Sequence, residues 1–169
     1  MTVLRSETPD DVAAIREVND SAFPQPAEAR LVDALRGQVD PWISLVADRD
    51  GRVIGHILFT KVTVSGEIPW DAIALGPMAI HPDFQRQGVG TLLVEAGLLA
   101  CKEQGHTVVF VLGHPTFYAR FGFARAKPRG LTCKWNVPDE AFMVAELEQG
   151  ALAGRSGQVE YHPEFDGCE

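Results

Sequence analysis

The sequence predicts an α/β protein with a mixed central β-sheet of about six to seven strands, flanked by helices. The first half alternates apolar runs with turn residues, and Asp50-Gly51 between two of these runs is typical of a hairpin. Further along, a long helical pattern separates two apolar strands, which favours a parallel pair joined by a right-handed crossover. The sheet is therefore expected to contain both antiparallel and parallel pairs.

Helix start and stop residues define the elements of the first half. Thr8 before Pro9 is a typical helix start, because threonine caps free N–H groups and proline suits the first helical position. Pro24 and Pro26 end that helix. The other predicted elements are a strand at Val3-Leu4, a helix over about Ala27 to Arg36, a strand over Ile43 to Ala47 and its long hairpin partner over Arg52 to Val64.

The second half is predicted to contain the parallel pair and several shorter strands. Gly76-Pro77 lies inside the central strand and indicates a bulge or an edge, because proline cannot donate to a strand ladder. The predicted elements are a strand over Ile73 to Ile80, a helix from Val89 to near Gly105, a strand from Thr107, a short helix from Pro115 to Gly122, strands near Leu131 to Trp135 and Ala141 to Leu147, and a short final strand at Val159 to Tyr161.

Composition predicts one domain over residues 1–169, since 169 residues that are 46% hydrophobic can bury a core. A net charge of −8 disfavours nucleic acid and mildly favours a cationic amine as substrate. No apolar run approaches the ~20 residues of a membrane span, and no leader is visible, so a cytoplasmic protein is expected. The three cysteines show neither a metal-binding spacing nor a disulfide framework.

The segment from Gln85 to Thr91 is the most informative part of the chain. Gly88 and Gly90 open the long helix after an apolar strand and a polar loop. A helix start has unpaired N–H groups and a partial positive charge, and glycines let an anion approach them closely. The segment is therefore predicted to hold a phosphate or a pyrophosphate.

Of three phosphate-binding patterns, two do not fit. The chain has no Gly-x-x-x-x-Gly-Lys-Ser/Thr run for a P-loop. A Rossmann fingerprint would need a third glycine, where Leu93 stands, and a ribose-binding acid, where Val108-Val-Phe110 stands. The third pattern, Gln/Arg-x-x-Gly-x-Gly/Ala, matches residues 85–90. By itself this match fits a helix start without a ligand equally well.

A second segment strengthens the third pattern. The strand from Thr107 is followed by a short helix that carries Tyr118-x-x-x-Gly122-Phe123. These two segments, in this order and separated by one helix and one strand, resemble those of the GNAT N-acetyltransferases. The segment from Val137 and the final Val-Glu-Tyr-His-Pro-Glu-Phe run fit a bacterial branch often labelled YhbS-like, so the resemblance covers nearly the whole chain.

The resemblance implies the GNAT fold, in which the parallel fourth and fifth strands splay apart and the pantetheine arm of acetyl-CoA enters the gap. It implies acetyl-CoA as cosubstrate, no metal, and Tyr118 as the catalytic residue, which donates a proton or a hydrogen bond to the departing thiolate. The implied cofactor-binding residues are Met78, Ala79, Ile80, Gln85, Arg86, Gln87, Gly88, Val89, Gly90, Thr91 and Phe117.

The implied activity is direct transfer of acetyl to a primary amine of a small molecule or peptide. The alternative is a non-catalytic CoA-binding regulatory or sensor module on the same fold. The acceptor, the choice between monomer and homodimer, and whether the acyl group is strictly acetyl stay open. The general base also stays open, with Glu67, Asp71, His56, His81, His114 or a water chain as candidates.

Overall fold

A computed structural model describes residues 1–168 of the chain. One mixed sheet of nine strands runs through it in the order β1-β2-β3-β4-β5-β8-β6, with β9 paired to both β3 and β7. The strands are β1 (Thr2–Ser6), β2 (Trp42–Arg49), β3 (Arg52–Ser65), β4 (Trp70–Ile80), β5 (Val108–Leu112), β6 (Ala124–Arg125), β7 (Leu131–Cys133), β8 (Phe142–Glu146) and β9 (Gly157–Glu160). The helices are α1 (Val12–Ala22), α2 (Ala27–Leu35), α3 (Val89–Glu103) and α4 (Pro115–Tyr118).

The first four strands form consecutive antiparallel pairs, as predicted. The hairpin between β2 and β3 turns at Asp50 and Gly51, where φ is 53° and 90°. Two successive residues with positive φ form the type of turn whose twist matches that of the flanking strands. The Asp-Gly pair therefore sets the register of β2 and β3 next to the turn, up to the irregularity between Ala47 and Asp48.

The parallel pair of β4 and β5 is short and opens at one end. Pairing extends only over Ile73–Leu75 opposite Val109–Val111. Against β3, the register shifts between Ile57 and Phe59, so β4 accommodates one extra residue around Gly76-Pro77. This bulge turns the rest of β4 away from β5. The mixed sheet and the splayed parallel strands predicted from the sequence are both confirmed.

Helices cover both faces of the sheet. Along β3, Ile57 and Phe59 belong to the core that includes α3, whereas Leu58 belongs to the core that includes α1 and α2. This alternation is the period of a strand buried on both faces. No helix within residues 1–168 is both long and apolar enough to cross a membrane.

The structure differs from the sequence predictions mainly in its short elements. The sheet has nine strands rather than six to seven, and β6 contains only two residues. The helix expected from Pro115 to Gly122 is a four-residue α4 followed by a 3-10 turn at Ala119–Phe121. Elements this short have little intrinsic preference, so pairing and packing with distant segments decide them.

Candidate active site

A cavity of about 710 Å³ opens where β4 and β5 separate. The splayed end of β4 and the turn after β5 form one part of its lining, together with α4. The other part comes from the end of α1, from α2, and from segments after β7 and β9. The residues that line the cavity include Met78, Ala79, Ile80, Gln85, His114, Phe117, Tyr118, Phe23, Glu28, Trp135, Tyr161, Phe165 and Cys168.

The predicted anion site adjoins this cavity. Gly88 caps α3 with a left-handed φ of 85°, and α3 is fifteen residues long. A Cβ added at Gly90 would lie 3.6 Å from both Met78 Cε and Phe117 Cζ, so the helix start faces the same walls as the cavity. Its unpaired N–H groups and positive end therefore lie where an anion attached to a cavity ligand can reach them.

Side chains of the loop mainly maintain its shape. Gln85 Nε2 donates to the carbonyl of Ile80 at 3.0 Å, and Gln87 Nε2 donates to the carbonyl of Asp83 at 3.4 Å. The side chain of Val89 is buried in the core. These residues thus offer a ligand their backbone groups more than their side chains.

Positive charge near the loop comes from distant parts of the chain. Arg120 donates from Nη2 to Thr91 Oγ1 at 3.2 Å, which brings a guanidinium to the first turn of α3. Arg49 and Arg52 flank the hairpin turn between β2 and β3 and pack against the Phe84 ring. Their Cζ atoms lie 5.1 and 5.2 Å from the centroid of that ring. Sequence reasoning missed all three arginines, because only the tertiary fold brings them to the loop.

Tyr118 is buried at the inner wall of the cavity, with 7% of its surface exposed. Its ring contacts Phe117 and Phe123 edge to face, at centroid distances of 5.0 and 5.7 Å. Gly113 makes room for the ring, since a Cβ there would lie 2.5 Å from Tyr118 Cε2. Burial raises the pKa of Tyr118 to about 12, so the phenol is neutral at physiological pH and can donate a hydrogen bond.

The candidates for a general base are separated by the fold. His56 is fully buried, with Ser44 Oγ 2.9 Å from Nε2 and Asn19 Nδ2 3.3 Å from Nδ1. Burial, with the nearby charge of Arg36, lowers its pKa to about 3. His56 therefore belongs to a neutral polar network in the core. Its candidacy as a base was wrong, because the packing of α1 on β3 encloses it.

Among the four remaining candidates, His114 lines the cavity, whereas Glu67, Asp71 and His81 do not. Sequence reasoning also missed Glu28, whose carboxylate lines the cavity from α2. In the sequence, Glu28 looks like an ordinary acidic residue in the first turn of a helix. Within residues 1–168, no three His, Cys, Asp or Glu side chains form a group that could hold a metal ion.

Comparisons with known proteins agree with this geometry. The sequence model of the acetyltransferase (GNAT) domain matches residues 40–125. The uncharacterized N-acetyltransferase YhbS of Escherichia coli is 38% identical over 97% of this chain and 98% of its own length. The crystal structure of E. coli YhbS in complex with CoA superposes with a TM-score of 0.91, covering 98% of this chain and 92% of that one.

A second solved structure binds the acetylated form of the same ligand. The GNAT family acetyltransferase from Brucella melitensis, in complex with acetyl-CoA, is 31% identical and has a TM-score of 0.79. The match covers 98% of this chain and 99% of that one.

Proposed function

This chain belongs to the GNAT acetyltransferase family, and from that premise we propose that it transfers acetyl directly from acetyl-CoA to a primary amine of a small molecule or peptide. The observation that carries the proposal is the opening between β4 and β5, with the helix start of α3 beside it and buried Tyr118 in its wall. The two related structures hold CoA and acetyl-CoA, which supports the same ligand here.

The pyrophosphate of acetyl-CoA would bind the helix start at residues 88–91. Free N–H groups and the positive end of α3 suit a dianion, and Arg120 adds a charged donor beside Thr91. The pantetheine arm would follow Met78, Ala79 and Ile80, because this part of β4 has no pairing with β5. Alternate backbone groups along such an unpaired edge are open to the amides of the arm.

The chemistry needs a neutral amine, an oxyanion donor and a stabilised thiolate. After the ammonium group loses a proton, the nitrogen bonds to the thioester carbonyl carbon, and the N–H of Met78 donates to the oxygen. The C–S bond then breaks, the nitrogen sheds its second proton and the sulfur ends as a thiol. Holding both substrates in one cavity makes the attack effectively unimolecular.

The role of Tyr118 follows from its raised pKa. A phenol with a pKa of about 12 is a weaker acid than a thiol, whose reference pKa is about 8.5. A hydrogen bond from the phenol to the departing sulfur is therefore favoured over complete transfer of the proton. This buried donor supports an enzyme rather than a module that only binds CoA.

The function is tested first with the wild-type protein. We expect acetyl-CoA, but not NADH, to raise the melting temperature, because the loop lacks the third glycine and the ribose acid of a dinucleotide site. We also expect thiol release from acetyl-CoA to depend on added amine across a panel of primary amines. Stabilisation by acetyl-CoA without amine-dependent thiol release would instead indicate a CoA-binding regulatory module.

Replacing Gly90 with valine should weaken CoA binding by tenfold or more, equivalent to about 1.4 kcal/mol. The Cβ itself would contact Met78 and Phe117 at an ordinary 3.6 Å, but the two γ-carbons extend into the space beside the helix start. Isothermal titration calorimetry measures the loss, and Gly90→Ala serves as the smaller control with a weaker effect. Unchanged CoA affinity in a folded Gly90→Val variant would contradict the pyrophosphate assignment.

A further inference from the structure

The wall of the cavity built by α2 and the C-terminal third of the chain carries polar atoms without partners. Glu28 Oε1, Trp135 Nε1 and Tyr161 OH are each buried and lack a hydrogen-bond partner within residues 1–168. All three residues line the cavity. Buried polar groups are normally paired, because leaving one unpaired forfeits its hydrogen bonds to water. Three such atoms around one cavity point to a ligand that supplies the missing partners.

Aromatic and apolar side chains surround these atoms. The Trp135 and Tyr161 rings lie 4.7 Å apart, and the Tyr161 and Phe165 rings lie 5.1 Å apart, measured between centroids. Phe23 lines the same cavity from the end of α1. A ligand here would therefore rest an apolar or aromatic body against several rings, whose faces also attract a positive charge.

The charge of this wall is negative. Glu28 carries the one carboxylate among the cavity-lining residues of 1–168, and no lysine or arginine lines the cavity. Burial raises the pKa of Tyr161, and burial together with Glu28 raises that of Cys168, so both stay neutral. Lys134, next to Trp135, does not line the cavity: it is ion-paired with Asp166 at 2.5 Å, and its Nζ lies 5.8 Å from the centroid of the Trp135 ring.

Glu28 has one oxygen with a hydrogen-bond partner and one without. Its Oε2 accepts a long hydrogen bond of 3.4 Å from Gln25 Nε2, whereas Oε1 is buried and unpaired. A carboxylate oxygen inside an apolar cavity is satisfied best by a charged donor. The Trp135 N–H is a donor only, so it calls for an oxygen acceptor on the same ligand.

We propose that the acceptor is a compact primary amine with a single positive charge, an apolar or aromatic body and a neutral oxygen, and that Glu28 binds its ammonium group. This identification of the acceptor class rests on the proposed function. Trp135 and Tyr161 would hydrogen-bond the neutral oxygen. An amino acid with the same side chain is disfavoured, because its carboxylate would enter a cavity that holds Glu28 and no cationic side chain. A polyamine is disfavoured because its further charges would find no second carboxylate.

Tyramine and tyrosine are matched probes, since they share ring, hydroxyl and amine and differ in the carboxylate. Each is titrated by calorimetry into protein saturated with CoA, which fills the cofactor side without turnover, and into protein alone. We expect tyramine to bind at least tenfold more tightly than tyrosine. Equal or tighter binding of tyrosine, or no binding of tyramine, would overturn the proposal.

Glu28→Gln removes the charge and keeps the shape, so tyramine affinity should fall at least tenfold. The matched control is Glu17→Gln on the exposed side of α1, which should bind tyramine as the wild type does. Wild-type affinity in Glu28→Gln would refute the role of this carboxylate. Whether the protein binds CoA in the same experiments tests the proposed function separately. The two tests are independent because Glu28 does not require CoA in order to bind an ammonium group.

Tyr161→Phe separates a binding role from a structural one. Removing a buried hydroxyl that has no protein partner should leave the melting temperature unchanged or raise it. If the hydroxyl binds the ligand, its removal should lower tyramine affinity several-fold. A lower melting temperature with unchanged tyramine affinity would show that the hydroxyl is structural and would contradict the proposed oxygen site.

Discussion

Replacing Tyr118 with phenylalanine is expected to lower kcat by about 10²- to 10³-fold, or about 2.7 to 4 kcal/mol of transition-state stabilisation. The substitution keeps the ring that packs between Phe117 and Phe123 and removes only the hydroxyl that we propose as the hydrogen-bond donor to the departing sulfur. Because this hydrogen bond strengthens as charge develops on sulfur, kcat and kcat/KM should fall together. Steady-state kinetics with an amine accepted by the wild-type protein measure both.

Two further measurements make this result specific. The affinity for acetyl-CoA should change little in Tyr118→Phe. A higher KM with unchanged kcat is the result expected of a binding residue, and we predict it for Tyr161, the other tyrosine of the chain. Since the pKa of Tyr118 is raised to about 12 by burial, the phenol stays protonated below that pH. The wild-type rate should therefore show no loss from ionisation of this group as the pH rises from 7 to 10. An unchanged kcat in Tyr118→Phe would mean that the thiolate leaves unaided or that another donor acts.

Adding one methyl group at Gly113 should also lower kcat, by about 10- to 100-fold. The Cβ of Gly113→Ala would lie 2.5 Å from Cε2 and 3.1 Å from Cδ2 of Tyr118, so the buried ring must move. A displacement of about 1 Å in a catalytic group can cost about 100-fold in rate. The protein should stay folded, because Gly113 lies in the turn after β5 and has no left-handed φ that would strain alanine.

A double-mutant cycle tests whether this loss acts through the hydroxyl. In the Tyr118→Phe background, Gly113→Ala should have little further effect on kcat, because the group that it displaces is already absent. The control is Gly66→Ala, in a turn where the new Cβ has its nearest contact at 3.4 Å. Additive losses in the double variant would indicate that Gly113→Ala disturbs something other than the Tyr118 hydroxyl.

Local signals predicted the framework of the candidate site. The glycines at 88 and 90, the bulge at Gly76-Pro77 and the helix that carries Tyr118 all depend on backbone geometry that nearby residues impose. Glycine permits the left-handed cap of α3, and the proline marks the point at which β4 leaves its parallel partner. These features could be predicted from the sequence because residues only a few positions apart determine each of them.

Other residues could not be placed from sequence. His56 lies in an apolar run of β3, and only the fold shows that Asn19 of α1 and Ser44 of β2 enclose it. Arg120 reaches Thr91 across 29 positions of the chain, and nothing near either residue in sequence indicates the contact. The two residues of β6 likewise form a strand by pairing with β8, which follows them by almost 20 positions.

By itself, then, the sequence determined the fold class, the cosubstrate expected from its two motifs, and the position of Tyr118, since short-range backbone preferences and strand periodicity encode these. Only the tertiary structure decided which groups line the proposed acceptor site. Glu28, Trp135 and Tyr161 belong to separate elements that meet where the C-terminal 3-10 helix (Pro163–Cys168) packs on α2. Their unpaired polar atoms are a property of that packing, because whether a buried group has a partner depends on contacts between segments far apart in the chain.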